Sequence, residues 1–387
     1  IQMIRVRAEV AKNTNSAAEE LQNNRRILQR EKERHMIERE SFGQDGLGNS
    51  VEAITISNQN DTRVKIASLG ATIVSFARRD KNGKMQDIVL GYDDASDYLE
   101  QNEYYFGATV GRNANRISGA KLTIGGVEYT LEANSGGNNL HSGSNGISHR
   151  VWEVAETDEK ENTVTFQIFS GDLEQGFPGN MTIRTTFRLT EDDALHISYE
   201  AVSDRDTIAN FTNHSYFNLS GHDSGYIGRQ KLKIYADEFT PLTQTGSIPT
   251  GEIRPVKGTP LDFTEFKAFD GEFDSDYDQI VYVRGFDHNF LLKNNGKLEL
   301  MAEAVSEETG MHLYAYTDCP GVQLYTGNFI KEHRGKAGAV YKERHGFCLE
   351  AQYVPDAPNQ TAFVTPLLKA GDVYRSETVY RLTLDNI

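Results

Sequence analysis

From residue 41 onward, apolar and polar side chains alternate with a period of two. Met181-Thr182-Ile183-Arg184-Thr185-Thr186-Phe187-Arg188-Leu189 is the cleanest case, and residues 164–169, 195–199 and 298–301 repeat it. That period sends successive side chains to opposite faces of a pleated backbone, so each run predicts a half-buried antiparallel strand. Asn82-Gly83, Gly125-Gly126 and Asn295-Gly296 fall between such runs. These pairs tolerate positive φ, which the tight turns between antiparallel neighbours require. Scarcely a helical stretch follows Asp97-Tyr98-Leu99. The pattern predicts an all-β domain over residues 36–387, one large antiparallel β-sandwich with no internal linker and no fixed-period repeat.

The first 35 residues read differently. Ala17, Ala18, Leu21 and Leu28 form a thin apolar stripe among Arg25, Arg26, Arg30, Glu31, Lys32 and Glu33, which predicts a short, charged helical extension. The heptad pattern lasts under about three repeats, which favours a solvated arm over a partner-binding coiled coil. Residues 1–40 hold nine Lys/Arg and seven Asp/Glu, a net of +2, so the rest of the −16 chain carries −18. Met36 is a natural first residue for the domain that follows.

Composition narrows the chemistry. With 38% hydrophobic and 10% aromatic residues, the chain can fill a large core. No run approaches the roughly 20 apolar residues of a membrane span, and the charged opening residues lack a signal-peptide core, which points to the cytoplasm. Cys319 and Cys348 are far apart in sequence, which argues against a structural zinc site or a disulfide framework and predicts two buried reduced thiols. A pI near 5.1 speaks against nucleic acid or an anionic membrane as partner and suits a neutral substrate.

Two segments stand out as chemistry. In Gly346-Phe347-Cys348-Leu349-Glu350-Ala351-Gln352-Tyr353 a single carboxylate sits inside an apolar strand-like run, where it loses solvation and becomes a candidate base. In residues 210–221, Asn210-Phe211-Thr212-Asn213-His214-Ser215-Tyr216-Phe217-Asn218-Leu219-Ser220-Gly221, a histidine lies among amides and aromatics. Its ordinary pKa near 6.5 suits a group that gives and recovers a proton around neutrality. Together Glu350 and His214 suggest an acid/base pair. Four more segments join glycine turns to polar side chains: residues 107–117, with Arg112, Asn115 and Arg116; 138–143, with His141; 285–290, with Asp287; and 320–328, with Gln323.

These six segments, in their order along the chain, resemble the signature regions of the aldose 1-epimerase (galactose mutarotase) family, over nearly all of residues 36–387. Residues 40–43 and 87–92 belong to the same resemblance. It implies the family's β-sandwich and a cofactor-free, metal-free interconversion of α and β sugar anomers. By motif, Glu350 matches the general base and His214 the general acid. His141 and Arg116 match polar groups around the ring oxygen and hydroxyls, and Asp287 matches the carboxylate that holds sugar hydroxyls. Asn115 and Gln323 fall on substrate-side positions. The implied partner is a free aldose, with no nucleic acid and no membrane.

The types fit that reaction. Opening a cyclic hemiacetal removes the proton of the anomeric hydroxyl while the ring oxygen gains one, so a base and an acid must flank one carbon. Three other readings remain beside it: a phosphosugar mutarotase, which needs a basic cluster for its phosphate; a glycoside hydrolase, which needs two carboxylates; and a non-catalytic sugar-binding module. Taken singly, His214 or His141 would more often be structural, and Arg112, His149, His288, His312, His333 and His345 are expected to be structural or surface residues. Tyr216, Phe217, Phe290 and Tyr325 are candidates to stack on a sugar, with core packing the simpler role. One departure concerns Ser142, which stands where the family usually has glycine. If that position needs positive φ, serine strains the turn.

Overall fold

The computed structural model describes residues 37–384. The expected charged extension, 1–35, therefore lies outside the described residues. Three antiparallel sheets dominate the rest. The first is a meander of Ile37–Gln44, Ser50–Ser57, Arg63–Ala67, Thr72–Arg79 and Met85–Asp87 in sequential order. The second has nine strands, in the order Glu153–Asp158, Thr163–Ser170, Met181–Leu189, Ala194–Ser203, Val373–Leu384, Met311–Thr317, Glu299–Ser306, Lys231–Ile234 and Lys267–Ala268. The third runs Arg254–Pro255, Glu238–Phe239, Asp287–Leu291, Gly321–Tyr325 and Cys348–Gln352.

The alternation read from sequence sets these strands. Met181–Leu189 buries its odd-numbered residues and leaves its even ones half-buried or exposed, and Ala194–Ser203 keeps the same rhythm. The turn pairs also behave as their chemistry requires: Gly125-Gly126 and Asn295-Gly296 hold positive φ at both positions. Leu298–Met301 departs from the expectation of one clean half-buried strand. The strand starts at Glu299, its register shifts between Leu300 and Ala302, and from Met301 onward every residue to Ser306 is buried. A bulge there lets side chains of both faces turn inward.

All three sheets feed one apolar cluster. Ile54, Ile66 and Phe76 enter it from the first sheet, Phe166, Phe187, Leu195 and Leu313 from the second, and Phe290, Val322 and Leu349 from the third. The nine-stranded sheet thus forms one layer of the sandwich and the two smaller sheets share the other. The twelve-residue strand Val373–Leu384 lies between Ala194–Ser203 and Met311–Thr317, so the end of the chain joins the middle of the large sheet.

Helix is confined to short pieces. Ala95–Glu100 is capped by Asp94, whose side chain accepts from the backbone N–H groups of Ser96 and Asp97. A second six-residue helix, Asp278–Val283, escaped the sequence reading because one and a half turns are too short to show a 3.6-residue period. Among the described residues no helix is long and apolar enough to cross a membrane. Cys319 and Cys348 are both buried free thiols, as expected.

Candidate active site

The floor of the site is made by Asp287–Leu291, Gly321–Tyr325 and Cys348–Gln352. Their register sets Asp287, Tyr325 and Cys348 in one cross-strand row and Asn289, Gln323 and Glu350 in the next. Residues paired across antiparallel strands share a face, and a period of two puts both rows on the same one. The opposite face sends Phe290, Val322, Leu324, Leu349 and Ala351 into the core. Alternation of this kind ordinarily marks a wet face. Here the polar face is dry: Asn289 is 1% exposed, Gln323 3% and Glu350 2%.

Loops from the middle of the chain cover that face and bring His214 to it. The backbone N–H of His214 donates to Ala108 O (2.9 Å), and Gly107 N–H donates back to His214 O (3.0 Å). Gly107 sits at φ 67°, and a Cβ there would lie 2.0 Å from Ile73 O, so only glycine allows this approach. Three residues on, Phe217 exchanges two backbone hydrogen bonds with Phe347, of 2.7 and 3.0 Å. The histidine segment is therefore clamped between residues 107–110 and the start of the Glu350 strand.

The two clamps place His214 Nε2 3.6 Å from Glu350 Oε2. That oxygen is fully buried and has no hydrogen-bond partner. Burial pushes the Glu350 carboxyl well above the usual carboxylate range, with the charge of Asp287 adding to the shift and Arg116 opposing it. Burial also lowers His214, to about 4. This is below the ordinary imidazole range because the dry cavity disfavours the imidazolium. Both shifts favour the uncharged pair, with a shared proton on the carboxyl rather than on the ring.

The remaining residues expected from sequence divide by what they touch. Arg116 Nη1 lies 3.9 Å from Asp287 Oδ2, and both side chains are on the cavity wall. Burial raises the Asp287 carboxyl, against the pull of Arg116 and a hydrogen bond from Gln323. Gln323 Nε2 donates to Asp287 Oδ1 at 2.7 Å from just behind the wall, which orients Asp287. Asn115 stands at φ 64°, with its Oδ1 accepting from Arg116 N–H and its backbone N–H donating to His141 Nδ1 at 3.1 Å.

That last bond decides what His141 can do. With Nδ1 accepting and burial holding the ring neutral, the proton is on Nε2, which presents an N–H donor to the cavity. Ligand atoms of His141, His214 and Glu350 lie within 4.8 Å of one another, the spacing of a metal triad. The donor set does not suit a cation, because Asn115 claims one lone pair of His141 and the other nitrogen carries hydrogen. It suits a sugar oxygen.

The cavity encloses about 270 Å³, near the small end of ligand sites. Tyr216 and Tyr325 line it, whereas Phe217 and Phe290 are core residues. Three aromatics on its wall were not singled out from sequence: Tyr104, Phe329 and Tyr105, whose ring centroid is 4.7 Å from that of His141. The run Tyr104-Tyr105-Phe106 after the first helix was the available signal. At the rim, Lys331 Nζ lies 3.6 Å from Glu103. Arg112 lies away from this wall, buried with its guanidinium bonded to Ser170, Gly171 and Pro178, so its expected structural role holds.

Comparison with known proteins adds an independent line. A family model described as aldose 1-epimerase matches residues 52–381. Galactose mutarotase of Bos taurus is 39% identical over 350 residues, 90% of this chain and 99% of the relative. Aldose 1-epimerase of Escherichia coli K12 is 35% identical over 338 residues, 86% of this chain and 96% of the relative. The crystal structure of an aldose epimerase homologue from C. elegans superposes with a TM-score of 0.79 at 32% identity, covering 86% of this chain and 99% of that one.

The turn after His141 supplies a test of local energetics. Ser142 does hold positive φ, 67°, between His141 at 51° and Gly143 at 98°. Its hydroxyl offsets the strain: Oγ accepts from Asn113 N–H (2.8 Å) and donates to Asn113 O (3.2 Å), tying the His141 turn to the Asn115 loop. Ser142→Ala keeps the strain and loses both bonds, so it should destabilise the protein by about 1–3 kcal/mol in urea unfolding. Ser142→Gly also loses the bonds but relieves the backbone, and should cost less. Equal stability of Ser142→Ala and wild type would contradict this account.

Proposed function

The chain belongs to the aldose 1-epimerase family, and on that footing we propose that Glu350 and His214 are the base and acid of its reaction. The protein is an isomerase that interconverts the α and β anomers of free aldohexoses such as galactose and glucose. The observation that carries the residue assignment is the pairing of Glu350 Oε2 with His214 Nε2 at 3.6 Å on the wall of a sugar-sized cavity.

The steps follow from the pair. Glu350 takes the proton of the anomeric hydroxyl as His214 Nε2 gives one to the ring oxygen. The bond from the anomeric carbon to that ring oxygen breaks, and a carbonyl forms in place of the hydroxyl. The aldehyde turns about its bond to the next carbon and presents its other face. Ring closure then returns one proton from the attacking hydroxyl to His214 and another from Glu350 to the carbonyl oxygen. One proton is shared throughout. It sits on the imidazole when a pyranose is bound and on the carboxyl when the open aldehyde is bound. Burial favours the second form in the empty site, so a productive pyranose works against that bias by drawing the proton across to His214. Hydroxyl dipoles and the guanidinium of Arg116 supply the polar surroundings that favour the charged form.

His141 Nε2–H and Arg116 are placed to donate to sugar oxygens, and Asp287, held by Gln323, to accept from hydroxyls. The cavity's two cations both face carboxylates, Arg116 on Asp287 and Lys331 on Glu103. That arrangement supports a free sugar over a phosphorylated one. The buried free thiols support a cytoplasmic setting.

Two outcomes check the assignment. Polarimetry of freshly dissolved α-galactose should show that Glu350→Gln and His214→Asn each lower turnover by roughly 10²- to 10⁴-fold, and that the double variant loses far less than the product of the two. Near wild-type turnover in a folded Glu350→Gln would remove Glu350 as the base and make Asp287 the next carboxylate to test.

The pH profile carries the sign of the shifts. Below about pH 4, where His214 protonates, the pair holds a second proton and Glu350 cannot act as a base. On the alkaline side the pair loses its only proton through the raised carboxyl. kcat/KM should be bell-shaped, with the alkaline limb set by an acid well above the ordinary carboxylate range. A profile falling away around pH 6.5 on its acid side would contradict the depressed histidine.

A further inference from the structure

Beyond the acid and the base, one more side chain meets the reacting pair. Cys348 precedes Glu350 by two positions on one strand, so both side chains leave the same face. They reach opposite nitrogens of one ring. Glu350 Oε2 is 3.6 Å from His214 Nε2, and Cys348 Sγ is 3.6 Å from His214 Nδ1. The thiol is fully buried, packed among Tyr216, Phe106 and Tyr341. The other titratable groups facing the ring, His141, Tyr105, Tyr216 and Tyr325, approach as ring neighbours with centroids 5.1 to 6.4 Å away.

We propose that Cys348 is a positioning residue for the reaction: its sulfur accepts the Nδ1–H of His214 and so keeps the labile proton on the Nε2 side, facing Glu350 and the sugar. The inference rests on the acid role proposed for His214. Proton exchange between Glu350 and the ring leaves Nε2 bare in one state and protonated in the other, so Nδ1 must keep its hydrogen in both. A partner at Nδ1 must therefore accept in both states without trapping the imidazolium. A carboxylate there would stabilise the cation, as it does in serine hydrolases. A neutral thiol is a weak acceptor and leaves the ring free to give its proton up. Burial, with Glu350 and Asp287 adding to it, pushes the Cys348 thiol well above its ordinary range, which keeps it neutral.

Nitrogen NMR of histidine-labelled protein, with the His214 signal assigned by its loss in His214→Asn, tests this without depending on turnover. At pH 7 and without sugar, wild type should show His214 with Nδ1 protonated and Nε2 bare. Cys348→Ala should shift the ring toward the other tautomer and lower kcat by about 3- to 10-fold, the value of one weak hydrogen bond. KM should stay within about 2-fold, since the thiol does not touch substrate. Cys348→Ser, which restores an acceptor, should return both the tautomer and most of kcat. The proposal is overturned if wild type carries its proton on Nε2, or if Cys348→Ala loses activity with the tautomer unchanged, which would mark a packing role. Should Cys348→Ala fail to fold, the wild-type spectrum still decides. Absence of mutarotation in wild type would overturn the proposed function while leaving the tautomer readable.

Discussion

A carboxylate and an imidazole are taken out of water together, and the carboxylate oxygen that faces the ring is left without a hydrogen bond. Burying either charge alone would cost several kcal/mol. A neutral form, with the shared proton on Glu350, removes most of that cost, and burial shifts both groups toward it. It also stores what the reaction needs, because the charged and neutral forms of the pair differ only by a proton moved between them. The cavity is in this sense poised: stable when empty in one form and useful in the other. Its neighbours follow from the same dryness. His141 is neutral and committed to donating, and Asp287 is held between Gln323 and Arg116.

The fold's part is to hold such a pair in register at a long sequence separation. Residues 214 and 350 meet because the histidine segment is hydrogen-bonded on one side to residues 107–110 and on the other to Phe347. The Glu350 strand is held in turn by the pairing of Gln323 with Glu350. Behind this floor stands the apolar cluster shared by all three sheets. Close packing there resists the small shifts that would misplace a proton donor.

Much of the sandwich was legible in the sequence, since a period of two reports directly on half-buried strands. Met181–Leu189 was read end to end. Less legible was any strand whose two faces are both covered. Glu299–Ser306 loses its alternation at a bulge, and the floor strands alternate yet leave their polar residues buried or half-buried, because loops from elsewhere cover most of that side. For the same reason, Glu350 and His214 could be recognised as unusual by local composition, but their proton balance could not. It depends on a contact across 136 positions and on the exclusion of water. Gln323 falls on a substrate-side position by motif, and its hydrogen bond to Asp287, made from the neighbouring cross-strand row, is not legible in local sequence. Ser142 was expected to strain its turn, and it does hold positive φ; the two bonds to Asn113 that offset the strain come from a loop 29 residues away.

In the proposed mechanism Glu350 carries the shared proton in the empty site and gives it up when sugar binds. Infrared difference spectroscopy of wild type against Glu350→Gln at pH 7 reads this directly. A protonated-carboxyl C=O band assigned to Glu350 is expected without sugar, and its replacement by carboxylate bands in part of the population on saturation with galactose. Carboxylate bands for Glu350 in the sugar-free protein would contradict it.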